Sequence, residues 1–163
     1  MKDPVWIKTV GVENNGDFIS IQAYSGYDSI MVDPTAIEYF FVADVSNEVL
    51  GEAVLESFKQ CRFLPCEEAY TLAQQADQFY IEWVQKIINR YGYKTRGELF
   101  INMKSCLIEY HKDVLIFLPI HHEELEVWVS HGEGRENNLK ISAHSSAAEI
   151  GLMLRRAFDR CTG

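Results

Sequence analysis

The chain has 163 residues, 47% of them hydrophobic and 24% charged, with a formal net charge of −9. That balance suits a folded globular domain, and the length suits one core, so residues 1–163 are expected to form a single domain. The acidic excess disfavours direct binding to nucleic acid, which needs a basic face, and no apolar run approaches the ~20 residues of a membrane span.

Val5 to Val12 and Phe18 to Tyr24 are apolar or alternating, and Asn15-Gly16 between them is a strong hairpin signal. Strands are expected at about 5–12 and 17–24. Gly26 to Val32 suits a short third strand, and Asp33-Pro34 breaks it. The run Ile37 to Asp44 is too short for periodicity to decide between strand and helix. Ser46 caps a helix whose face holds Leu50, Ala53, Val54 and Phe58, with Glu48, Glu52 and Glu56 on another face. After Pro65 comes the longest periodic run, from Ala69 to Tyr91, ended by Gly92. At 1.5 Å per residue this helix is about 38 Å long. Its wide aromatic stripe predicts that it packs lengthwise on a sheet as the central core element, with Trp83 buried.

Thr95-Arg96-Gly97-Glu98 has the form of a capping box, predicting a short helix to about Met103. Three strands in meander order should follow. Cys106-Ile108-Tyr110 alternate, His111-Lys112-Asp113 turn the chain, and Val114 to Leu118 reads as a central strand covered on both faces. After the polar His121-His122-Glu123-Glu124, Leu125-Val127-Val129 alternate with Glu126-Trp128-Ser130. A loop at 132–138 leads to a strand at Leu139-Ile141-Ala143. Ser146 to Glu149 is a second capping box, opening a helix with Ile150, Leu154, Ala157 and Phe158 inward. The fold class is α+β: an antiparallel sheet packed against one long helix and several shorter ones.

The start MKDPVWIKTV has no apolar signal segment, so the expected compartment is the cytoplasm. Reduced thiols are then expected at Cys61, Cys66, Cys106 and Cys161, whose spacing matches no common zinc pattern. No catalytic motif stands out. The pair His121-His122 on an extended segment points to opposite faces, so it does not chelate one ion. There is no Gly-x-Ser-x-Gly, P-loop or dinucleotide fingerprint. A small cytoplasmic enzyme with an unrecognised Cys/His or metal site remains the alternative to a binding protein; neither metal nor cofactor is called for.

Four blocks carry a resemblance. They are Leu50-Gly51-Glu52-Ala53-Val54-Leu55 running to Cys61-Arg62-Phe63; Tyr91-Gly92-Tyr93-Lys94-Thr95 running to Asn102-Met103-Lys104-Ser105-Cys106; Leu125-Glu126-Val127-Trp128; and Ser145-Ser146 through Glu149-Ile150-Gly151 to Ala157-Phe158. In these the sequence resembles the CdiI family of contact-dependent growth inhibition immunity proteins. The resemblance implies a small cytoplasmic, non-enzymatic protein that binds and neutralises the C-terminal toxin domain of a cognate CdiA effector. Such toxins are often nucleases.

The acids suggest where. Residues 38–82 hold nine acidic side chains against Lys59 and Arg62. Residues 119–136 hold Glu123, Glu124, Glu126, Glu133 and Glu136 against Arg135. Acidic blocks complement a basic partner, although they also simply keep a small protein in solution. The second block lies near His121, His122 and Trp128, and tryptophan is a favoured interface anchor. Residues 121–136 are therefore the expected toxin contact, with Glu48, Glu52 and Glu56 as second choice.

Overall fold

The computed structural model describes residues 6–130 and 138–163. The expected strand start at Val5, and His131, Glu133 and Glu136, lie outside the described residues. Strands β1 (Lys8–Asn14) and β2 (Phe18–Gly26) form the expected hairpin. Gly16 takes the turn position that needs a positive φ, at 95°. Asn15 is buried there: its side-chain oxygen accepts from the amides of Asp17 and Phe18, and its amide donates to Leu99 O and Tyr93 Oη. Strands β3 (Ile30–Val32) and β4 (Tyr39–Val42) both pair with β2, at opposite ends of it.

Helix α1 (Asn47–Gln60) is capped by Ser46, α2 (Cys66–Tyr91) ends at the left-handed Gly92, and α3 (Arg96–Phe100) is capped by Thr95. The Thr95 box is only half formed, because Glu98 accepts from Lys94 N–H instead of reaching Thr95. Strands β5 (Lys104–His111) and β6 (Val114–Pro119) meet at a tight turn where Lys112 and Asp113 have φ of 49° and 62°. Then β7 (His121–Glu124) and β8 (Val127–Val129) pair with each other in a separate two-stranded sheet, with a parallel bridge from His121 to Thr162. Strand β9 (Leu139–Ser142) returns to β6, and α4 (Ala147–Asp159) closes the chain with a complete Ser146–Glu149 capping box. The expected three-strand meander is thus two strands long. His121 to Glu124, expected only as a polar stretch after the central strand, is itself a strand of a separate hairpin.

The main sheet is antiparallel, in the order β3-β2-β1-β5-β6-β9 with β4 also beside β2. Alternation gives it two unlike faces. One carries Val10, Val12, Ile19, Ile21, Cys106, Ile108, Leu115 and Phe117, packed against Leu50, Val54, Ile150 and Leu154 of α1 and α4. This is the core. Arg155 ties it to the preceding loop, donating to Asn47 Oδ1, Ala43 O and Val45 O.

The long helix is a correction to the sequence reading. It crosses the other face, but of its side chains only Leu72, Val84 and Ile87 are buried. Tyr70, Tyr80 and Ile81 are exposed, and Trp83 is half-buried. A second small cluster of Phe18, Val84, Ile87, Leu99, Phe100 and Met103 anchors its C-terminal half. Strand β6 is correspondingly covered well on one face only: Leu115 and Phe117 are buried, while Val114, Ile116 and Leu118 are half-buried.

Asp33 pins the β3–β4 connection. It accepts from Arg62 Nε at 2.7 Å, Ser25 Oγ at 2.7 Å and Thr35 Oγ1 at 2.7 Å. Burial alone would raise its carboxyl; these donors outweigh that and hold it well below the usual aspartate range.

Candidate functional site

Of the expected contact residues, His121, His122, Glu123, Glu124, Glu126 and Trp128 come together on the β7–β8 hairpin, while Glu133 and Glu136 lie outside the described residues. His121 pairs with Val129, His122 with Trp128 and Glu124 with Val127, with a bulge between His122 and Glu124. The hairpin is fixed from three sides. His122 N–H donates to Thr162 O at 2.8 Å, and His121 Nδ1 lies 2.8 Å from Thr162 Oγ1, tying the strand to the C-terminus. Trp128 Nε1 donates to Met103 O, while its ring packs on Phe100 and stacks on His122 at 4.6 Å. Glu126 accepts from both arms of the Arg96 guanidinium and from Tyr80 Oη, joining hairpin, α3 and α2. The Arg96 bond holds the Glu126 carboxyl below its ordinary range.

Alternation does place Trp128 and Glu126 together, but on the inward side. Neither is presented as a free contact. The outward side offers exposed Glu123 and Glu124 with Leu125 and Val127, 42% and 41% exposed. Those two apolar residues were not singled out from sequence. The signal for them was the same alternation, once Trp128 is recognised as the side chain that turns in. The second-choice acids, Glu48, Glu52 and Glu56, are all exposed along α1, with Lys59 donating to Glu56 at 2.7 Å.

Behind the hairpin lies a cavity of about 430 Å³ between α2 and the second sheet face. Glu13, Gln22 and Tyr24 rise from the strands; Tyr80 and Trp83 come from α2, and Trp128 from β8. Burial pushes the Glu13 carboxyl up to about 8, against the lowering effect of a bond from Ser105.

Three of the four cysteines are built into structure, and Cys66 is exposed. Burial raises the thiols of Cys61, Cys106 and Cys161, away from the reactive thiolate form. Cys61 Sγ donates to Thr9 O at 3.3 Å. Among the described residues no His, Cys, Asp and Glu cluster could hold a metal ion, and no helix is long and apolar enough to cross a membrane.

Known proteins match this arrangement over its whole length. The family model described as CDI immunity protein matches residues 8–161. The immunity protein CdiI-YPIII of Yersinia pseudotuberculosis serotype O:3 (strain YPIII) is 38% identical, with all of both chains covered. Among solved structures, a chain of a CdiA-CT/CdiI toxin and immunity complex from Yersinia pseudotuberculosis superposes with a TM-score of 0.88 at 34% identity, covering 98% of this chain and 100% of that one. A protein of unknown function from Neisseria meningitidis gives 0.87 at 29% identity, with 99% of each chain covered. Fold and length together are those of an immunity protein. The chain belongs to the CdiI family of CDI immunity proteins.

Proposed function

We propose that this chain binds the C-terminal toxin domain of a cognate CdiA effector and neutralises it. It acts in the cytoplasm as one domain spanning residues 1–163, with no cofactor and no catalysis of its own. The observation that carries this reading is the end-to-end likeness, at 34% identity, to a chain solved in a toxin and immunity complex. Charge extends it: a chain of net charge −9 with its acids in blocks suits a partner with a basic face. A nuclease toxin, which must hold a phosphate backbone, presents such a face.

The contact falls on the β7–β8 hairpin and the segment after it. Glu123 and Glu124 meet the basic partner; His121 and His122 belong to the same strand, and Glu133 and Glu136 continue the acidic run. Glu126 and Trp128 set the hairpin's shape from inside through Arg96, Tyr80, Phe100 and Met103. Recognition residues are commonly placed on short connections held by a rigid scaffold. The acidic face of α1 is the second contact.

The test is growth rescue. Cells producing the toxin domain of the cognate CdiA effector should survive when this chain is co-produced and die when it is not. Death in both cases, with the chain folded and abundant, would overturn the reading.

A further inference from the structure

We infer that the cavity behind α2 is a binding site for an organic cation, an ammonium or guanidinium group on a short apolar stem, with Glu13 as its counter-ion. The site stands without the toxin-binding reading.

Glu13 sits on β1, between Ser20 of β2 and Ser105 of β5, which are its direct partners across the two strand pairs. Among the described residues Ser105 Oγ is the one hydrogen-bond donor to its side chain, at 3.2 Å. Among the described residues no Lys, Arg or His pairs with it. Ser20 Oγ, 0% exposed on the same face, has no hydrogen-bond partner. The Glu13 carboxyl lines the cavity with Ser105 as its one hydrogen-bond donor among the described residues, which leaves acceptor capacity that a ligand in the cavity can satisfy. A nearby basic side chain, Arg96, is already committed to Glu126.

The walls complete the case for a cation. Tyr24, Tyr80, Trp83 and Trp128 line the space with aromatic side chains, and Met103 adds a polarisable sulfur. At about 430 Å³ the volume falls in the range of small-molecule sites. A neutral guest would leave the Glu13 carboxyl protonated, whereas a cation lets it ionise in place and an anion would oppose that ionisation. Two sources carry the required group: a free small molecule, or a basic side chain offered by a protein partner.

The test uses the full chain and n-butylguanidinium, with n-butylurea as the uncharged isostere. Binding is followed by calorimetry and by the indole NMR signals of Trp83 and Trp128. The cation should bind about tenfold or more tighter than the urea, and Glu13→Gln should remove that preference. Affinity for the cation should also rise with pH toward 8, because the Glu13 carboxyl must ionise. Its titratable neighbours are Tyr24 and Tyr80, whose phenols are raised by burial, Glu126, neutralised by Arg96, and across the sheet the raised thiols of Cys106 and Cys161. None of these takes up the same titration. Equal binding of cation and urea, no binding of either, or an unchanged preference in Glu13→Gln would overturn the assignment. Ala76→Leu, which narrows the cavity from α2, provides a second variant that should weaken the cation; unchanged affinity there would place the cation elsewhere. Adding the toxin domain then separates the sources. Displacement of the probe assigns the site to a toxin side chain, and co-binding assigns it to a free cation.

Discussion

Gly51 and Gly151 face each other's helix where α1 and α4 cross. A Cβ on Gly51 would lie 1.8 Å from Ala147 O, and one on Gly151 would lie 1.9 Å from Asn47 O. Each helix thus rests its backbone on the first turn of the other, and both halves of the core depend on that approach. In an exposed helix, replacing Gly by Ala stabilises by about 1 kcal/mol. Here the sign should reverse. Gly151→Ala should destabilise by roughly 1–3 kcal/mol, since neither partner atom is a movable side-chain end. A thermal or urea denaturation series checks it, and a gain in stability would show that the helices separate freely.

Glu13 makes stability depend on pH in an unusual direction. Its carboxyl is pushed up to about 8 in the fold, against about 4.3 in an unfolded chain. Between those values the folded state holds a proton that the unfolded state has released, so stability falls as pH rises from about 4 to 8. Glu13→Gln should remove this slope. It should stabilise the chain clearly at pH 8 and leave it nearly unchanged at pH 4. Denaturation curves of both proteins at the two pH values test this; parallel curves would mean Glu13 is ionised at neutral pH.

The core lies with α1 and α4, so truncations should divide accordingly. Leu154→Ala, at a position 0% exposed, should cost about 2–5 kcal/mol. Trp83→Ala should cost less, about 1–2 kcal/mol, because the indole is half-buried at a cavity wall and part of its surface is already without packing partners. Its lost contacts include the Nε1–H bond to Glu38 and the stack on Tyr80. If Trp83→Ala proved the more damaging change, α2 would be the central element that its periodicity suggests.

Charge reversal separates the two acidic faces. Glu123→Lys with Glu124→Lys should weaken toxin binding mainly through slower association, and most strongly at low salt. The fold should survive, since both side chains are exposed. Glu126 is left out of this pair because Arg96 and Tyr80 depend on it. Unaltered binding in that variant, with loss on reversing Glu48, Glu52 and Glu56, would move the contact to α1.

Local signals were legible in the chain. Ser46, Thr95 and Ser146 cap helices, Gly92 ends the long one, and Asn15-Gly16 turns the first hairpin, because each acts on its own backbone within a few residues. Partnership between distant segments was not. Nothing in His121 to Glu124 says that it pairs with β8 in a separate sheet, or that β9 passes back to β6. The stripe of α2 misled for a related reason. Its apolar residues are divided among a small cluster, a cavity wall and an exposed face, and periodicity alone assigns them to one core. At the candidate site, Glu123 and Glu124 could be read as exposed, while the inward turn of Trp128 and Glu126 depends on Phe100, Met103 and Arg96 from another element.

Direct binding tests the central claim. The purified chain is titrated with the C-terminal domain of its cognate CdiA effector, made as an inactive point variant, and the complex is weighed by light scattering. A stable complex with a dissociation constant in the nanomolar range is predicted, as for other specific interfaces of ordinary size. No complex at micromolar concentrations, with both proteins folded and the parent toxin active, would contradict it.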